Sequence, residues 1–248
     1  MWRTAENSAA FLLPHLRAGM SLLDVGCGPG TITADLAQRI PGGSVVGVDV
    51  PADLMATAQR ERGGGNLRFE VGDVYSLRFE SNSFDVVYAH QVLQHLGDPV
   101  SALHEMLRVL KPGGLVAVRD SDYGAFVWSP EDPRLTMWMD LYHELTQHNR
   151  AEADAGRHLH RWVRAAGFDQ LQVSSSTWTF QSPDDRAWWG QLWADRVRQS
   201  DFAHQALEYG LTDERELQAI AEAFLQWAAE PDGLFIVLHG EVIATKPA

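Results

Sequence analysis

The stretch Leu22–Thr33, LLDVGCGPGTIT, decides the fold. An apolar run ends at Val25 in glycines at alternate positions, Gly26, Gly28 and Gly30, and TITADLAQRI follows at once with helical spacing. A strand that ends in residues without Cβ atoms and opens a helix lets a ligand touch bare backbone at the helix N-terminus. The dinucleotide fingerprint would put a further glycine at position 31, where Thr31 stands, so the spacing is Gly-x-Gly-x-Gly with Asp24 two residues ahead. That departure counts against a nicotinamide or flavin cofactor.

Working outward, SVVGVDV, LRFEVGDV, FDVVYA and LVAVRD repeat the pattern of a short β-type run closed by Gly, Asp or another polar residue. Helical spacing fills the gaps: Val100, Leu103, Met106, Leu107 and Leu110 recur before a stop at Lys111-Pro112-Gly113-Gly114. Strands alternating with helices imply a parallel sheet. Asp49 closes the second strand, where a carboxylate can accept both vicinal hydroxyls of a ribose. Asp73 is expected to close the third, where it can accept from the exocyclic amine of adenine. Acidic residues at three successive strand ends around a glycine loop point to a nucleoside ligand.

The 248 residues are 45% apolar, enough for a buried core, and 20 Lys+Arg against 33 Asp+Glu leave a charge of −13. Such a surface repels phosphate backbones and anionic lipid, so neither a nucleic acid nor a membrane is expected as partner. Cys27 is the only cysteine, so no internal disulfide can form, and the first residues lack the basic start and apolar run of a secretory signal. No apolar stretch reaches the roughly 20 residues of a membrane-spanning helix. A cytoplasmic monomer or homodimer is expected.

After Asp120 the sequence turns rich in tryptophan. Helical faces are expected through Leu135, Trp138, Leu141, Tyr142 and Leu145, through Leu159 to Ala166, through Trp188 to Trp193 and through Leu217 to Ala228. Two late strands, from Leu171 and from Leu234, are assigned to the far edge of the same sheet. The division is one domain over 1–248: an N-terminal helix at 1–20, a ligand-binding core at 21–122, and helical insertions at 123–152 and 181–230.

The motifs LLDVGCGPGTIT, VVGVDVPADLM, VGDVYSLRFESNSFDVVYAHQVLQHLGDP and ALHEMLRVLKPGGLVAV together resemble the class I S-adenosylmethionine-dependent methyltransferases, in the branch of ubiquinone and menaquinone biosynthesis. The resemblance covers residues 15 to 120. It implies a Rossmann-like, doubly wound α/β sheet of seven strands with an antiparallel last strand, and S-adenosyl-L-methionine as cofactor. By position, Asp24 and the loop Gly26-Cys27-Gly28-Pro29-Gly30 would hold the methionine end, and Asp49 the ribose. Val50 and Met55 would flank adenine, Asp73 and the backbone of Val74 would receive its amine, and Ala89 would lie near the amino group. His90 and Gln91 would lead into the acceptor pocket. In that fold the two insertions would emerge above the site as a lid, with Trp128, Trp138, Tyr142, His148 and Trp189 lining a chamber for an aromatic or apolar small molecule.

Methyl transfer is an in-line displacement, so much of the catalysis lies in orientation, and a base is needed only where the acceptor must lose a proton. His90, His95 and Asp120 are the candidate catalytic groups, and Gln94 stands where related enzymes carry a histidine. No metal set is evident. That glutamine motivates a second reading, a protein that holds S-adenosylmethionine without transferring its methyl, as a regulator or as a cyclase using the bound sulfonium charge.

Overall fold

The computed structural model describes residues 2–248. Its chain divides into two units. The first takes residues up to Asp120, then Ala155–Ser176 and His239–Ala248. The second takes Ser121–Asp154 and Thr177–Leu238.

In the first unit the predicted runs become β1 (Ser21–Val25), β2 (Ser44–Asp49), β3 (Leu67–Val71), β4 (Phe84–His90) and β5 (Leu110–Ser121). The pairs β1–β2, β2–β3, β1–β4 and β4–β5 are parallel. Two late strands complete the series, β7 (Asp169–Phe180) and β8 (Leu234–Thr245), and the boundary between the units falls within both. Strand order is β3-β2-β1-β4-β5-β8, with β7 on β8. Order reverses after β1, and the open end of a parallel sheet at such a reversal is where ligands bind.

The central strands are rich in Val and Leu because both of their faces are covered. Leu23, Val46 and Val87 feed a core with α4 (Pro99–Val109) and α6 (Ala155–Ala165). Their neighbours Leu22, Val45 and Val86 feed a second core on the opposite face with α2 (Thr31–Arg39) and α3 (Ala52–Arg62).

The second unit holds β6 (Val127–Ser129), paired antiparallel to Leu234–Ile236 of β8, and the helices α5 (Pro133–His148), α7 (Pro183–Gln199), α8 (Asp201–Glu208) and α9 (Glu214–Ala229). Trp138, Trp193, Phe224 and Phe235 fill its core. With β6 the sheet has eight strands, the seven expected and one short addition, and its last strands run antiparallel.

Several local expectations change. The helix expected at 1–20 is a four-residue α1 (Ala5–Ser8), capped by Thr4, followed by a 3-10 turn at Leu13–His15. Ala9 leaves helical geometry at φ −133°, and Pro14 further on has no N–H to continue a helix. Lys111–Gly114 opens β5 instead of forming a separate stop after α4. Asp73 lies two residues beyond β3, in a tight turn that pairs it with Ser76.

Candidate functional site

A cavity of about 380 Å³ opens in the first unit at the carboxyl ends of β1, β2 and β4. Val25 and Gly26, where the glycine loop begins, line its floor. Gly26, Gly28 and Gly30 have φ of 67°, 54° and 77°, a region that side chains other than glycine rarely adopt. A Cβ on Gly26 would stand 2.4 Å from Val92 Cγ2, and one on Gly30 would stand 2.4 Å from the Phe69 ring. A Cβ on Gly28 would meet nothing within 4 Å, so the backbone there is bare toward open space. The N–H groups of Gly26 and Cys27 both donate to Val48 O, at 2.8 and 3.0 Å, which ties the loop to β2.

Asp49 stands on the adjoining wall. Its Oδ2 accepts from Gly28 N–H at 2.8 Å and its Oδ1 from Val50 N–H at 2.7 Å, so the carboxylate is held in place with acceptor capacity to spare. Val50 beside it is 66% exposed, an apolar surface that a flat ring would cover. Asp73 and Val74 continue the wall, and Asp73 Oδ1 accepts from Tyr75 N–H at 2.9 Å.

The facing wall is the turn after β4, with Gln91, Val92, His95 and Leu96 on the cavity. Gln91 has φ 54° and its N–H donates to Arg119 O at 2.7 Å, so the chain leaves the strand sharply. Beneath that turn lies Asp120, fully buried, whose Oδ1 accepts from Gln94 N–H at 3.1 Å. Burial pushes its carboxyl up to about 7, against the backbone N–H groups of Gln94, Leu93 and Val92, which favour the ionised form.

The other expected residues sit behind the cavity surface. Asp24 is buried, accepts from Thr33 Oγ1 at 2.7 Å, and is raised to about 7 by burial, with Thr33 opposing and Asp49 adding to the rise. Cys27 packs its sulfur 3.8 Å from Met55 Sδ, and burial with two nearby carboxylates pushes its thiol up, which favours the neutral thiol. Met55 is therefore beneath the loop, in the core that packs α3, and not on the wall expected to flank adenine. Ala89 is buried in β4.

His90 is also buried, stacked parallel to Tyr88 with ring centroids 6.5 Å apart, and its Nδ1 lies 3.4 Å from Arg119 Nη1. Burial first, then Arg119, hold it well below the usual histidine range. It is a buried ring next to a guanidinium and does not line the cavity, unlike the acceptor-side position expected for it. Gln94 is buried too, its amide Nε2 3.2 Å from His95 Nε2. Of the three catalytic candidates, only His95 lines the cavity.

In the second unit, Trp128 lines a cavity of about 580 Å³ with Phe126 and Met137, rimmed by Glu131 and Asp140. The other expected chamber residues do not line it. Trp138 and Trp189 are core rings, packed edge-to-face or tilted on Trp193, Phe224 and Phe235. Tyr142 stacks on Tyr123 at 3.8 Å, and His148 lies exposed against Tyr209 at 3.9 Å. Large rings interlocking with one another release more apolar area from water than rings left facing a void.

Sequence reasoning missed Val25, Gly72, Tyr75, Val92 and Leu96 on the first cavity. The apolar spacing of Val92 and Leu96 directly after a strand end was the available signal.

Residues 23–118 match the family model described as a methyltransferase domain. A protein of Schizosaccharomyces pombe, described as an uncharacterized methyltransferase, is 32% identical over 256 residues, covering 99% of this chain and 91% of its own length. A ubiquinone/menaquinone biosynthesis C-methyltransferase of Bdellovibrio bacteriovorus is 36% identical over 104 residues, 41% of this chain and 44% of its own. Among solved structures, the cyclase SpnF shares the fold with a TM-score of 0.58 at 24% identity, over 98% of this chain and 79% of that one. Because the match to the Schizosaccharomyces pombe protein extends far beyond the glycine loop, the chain belongs to the methyltransferases, with S-adenosylmethionine as cofactor.

Proposed function

We propose that this methyltransferase acts on a small organic molecule with an aromatic or apolar body, and that the cavity between the glycine loop and the turn after β4 receives the adenosine part of S-adenosylmethionine. The observation that carries the second statement is the Asp49 carboxylate, braced by Gly28 and Val50 N–H groups at the mouth of a cavity with exposed backbone at Gly28. In this reading Asp49 accepts from the ribose hydroxyls and Asp73 from the adenine amine. Val50, Val74 and Leu96 enclose the ring, and Gln91 is at the acceptor side. Bound S-adenosylmethionine supplies an electrophilic methyl carbon on a sulfonium. Asp24, raised to about 7 while buried, ionises when a cationic amine comes near and so complements it.

The small acceptor is supported by the charge of −13, which disfavours polyanions, and by the Bdellovibrio bacteriovorus relative, whose name puts its own reaction in quinone biosynthesis. A quinone is flat and apolar, which favours an acceptor of that character. His95 is the group placed to take a proton, and the enzyme works in the cytoplasm as a monomer or homodimer. Among the described residues no helix is long and apolar enough to cross a membrane.

The test is incubation with methyl-labelled S-adenosylmethionine and a fractionated extract, separating small molecules from protein and nucleic acid. Label in a small-molecule fraction is expected. Label confined to macromolecules overturns the acceptor class, and absence of label from every fraction withdraws the proposal of a small acceptor in that extract.

A further inference from the structure

Asp120 was expected to act on the acceptor, yet the structure puts it where it can touch none. Its side chain is wholly buried under the turn that follows β4. Oδ1 accepts Gln94 N–H at 3.1 Å, and the N–H groups of Val92 and Leu93 lie close enough to favour the ionised form. These are N–H groups at the start of the 3-10 turn Leu93–His95, which has no side-chain cap of its own. Oδ2 is buried with no hydrogen-bond partner among the described residues, so the group is not there merely to satisfy itself.

Val92, two residues before the Gln94 N–H that the carboxylate accepts, places Cγ2 in the space a Gly26 side chain would fill. The turn that Asp120 holds at Gln94 therefore meets the glycine loop where Val92 closes on Gly26. Val92, His95 and Leu96 are the cavity wall opposite Asp49.

We propose that Asp120 is a positioning residue of the cofactor site: its ionised carboxylate gathers the N–H groups of Val92, Leu93 and Gln94 and so sets the wall that closes on the glycine loop. The proposal rests on the reading of this cavity as the cofactor site. Ionisation is the step that matters, because a protonated carboxyl is a much weaker acceptor for three N–H groups. The side chain is raised to about 7, so the wall is held firmly above neutrality and slackens below it. By linkage, cofactor binding, which needs the wall in place, releases a proton from Asp120.

The titratable and charged groups on the elements packed around it are Asp85, Tyr88 and His90 on β4, His95 on the turn, Lys111 and Arg119 on β5 with Asp122 just beyond, His104, Glu105 and Arg108 on α4, His239 and Glu241 on β8, and Arg157, His158, His160, Arg161 and Arg164 on α6. Arg119 favours the ionised form. Tyr88 and His90 stay neutral, the first held well above its usual range and the second well below. Asp24 on β1 also sits at about 7 and also bears on the site, so its contribution must be subtracted.

Calorimetric titration with S-adenosylhomocysteine at about pH 6.5 and about pH 8, in buffers of different ionisation heat, tests this. Wild type is expected to bind more tightly at the higher pH and to release protons on binding. Asp120→Asn keeps the shape and an amide acceptor but loses the charge. It is expected to bind roughly tenfold more weakly at the higher pH, with the Asp120 part of the proton release gone and the cofactor KM raised more than kcat is lowered. Asp24→Asn is the comparator, and in it the Asp120 part of the release persists. Should Asp120→Asn fail to fold, the wild-type proton release compared with that of Asp24→Asn still decides. If wild type binds no S-adenosylhomocysteine, the cavity assignment itself falls. If Asp120→Asn binds like wild type at both pH values with the same proton release, only the positioning role is overturned, and that role is likewise overturned if Asp24→Asn releases no proton.

Discussion

Gly28 and Asp49 work as a unit, one supplying bare backbone and an N–H, the other a carboxylate fixed by that N–H at 2.8 Å. Asp49→Ala is expected to weaken S-adenosylhomocysteine binding by about 100-fold, since it removes two charge-assisted hydrogen bonds, while circular dichroism and melting stay near wild type. Calorimetry checks the affinity. Gly28→Ala separates space from strain: nothing crowds its Cβ, but φ 54° costs on the order of 1 kcal/mol, so stability should fall modestly and binding further as the methyl enters the ligand's space. Urea unfolding and calorimetry on one preparation would show both. These residues were legible in the sequence because their chemistry is local, a carboxylate at a strand end and glycines at fixed spacing. Val92 and Leu96 were not, because an apolar residue is made a wall residue only by its tertiary neighbours. Asp120 and His90 were read as reacting groups, yet both are buried and off the cavity surface, and burial is absent from the sequence.

At the scale of elements, regular spacing over several turns was readable and short pieces were not. α5, α7 and α9 each run for 16 or 17 residues, long enough for an apolar stripe to show. α8 has 8 residues and β6 only 3, too few to display a period. The tryptophans were read as chamber lining because spacing gives the face of a helix and not what that face meets. Trp138 contacts Trp193 at 4.5 Å and Phe224 at 5.1 Å, both edge-to-face, with none of its surface in water. Trp138→Ala is expected to cost about 3–5 kcal/mol, the usual toll of emptying a large aromatic site. Denaturant unfolding followed by tryptophan fluorescence measures it, and a loss under about 1 kcal/mol would mean that the ring is not a core member.

At the scale of the whole molecule, two buried carboxylates give the protein a distinctive response to pH. Asp24 and Asp120 move from 3.8 to about 7 on folding, so the stability they lend is complete below about pH 4 and is lost as pH rises through 7. His90 works the other way: its pKa is lowered on folding, so its contribution is present above 6.5 and fades as pH falls. Between about pH 5.5 and 7.5 the two carboxylates outweigh His90, and His143, raised on folding against the effect of burial by Met139 O and Asp154, adds to the loss as pH rises. The cofactor-free melting temperature is expected to drop by several degrees across that range, and the Asp24→Asn, Asp120→Asn double variant to flatten the drop. Scanning calorimetry at stepped pH checks it, and a rise with pH would refute it. The parallel sheet was legible at this scale from strand-helix alternation alone, whereas the way two units share one chain was not.

That sharing governs how the molecule is made. The first unit is written in three pieces, and its last, His239–Ala248, supplies the part of β8 that lies beside β5. While the polypeptide is being synthesised, the edge of β5 is bare until residues more than a hundred positions downstream have emerged. The glycine-loop half can gather early, but the sheet closes only after translation has passed through the whole second unit. Folding of this kind has high contact order and is slow, and its waiting intermediate carries an open strand edge, the feature through which nascent chains aggregate and chaperones engage them.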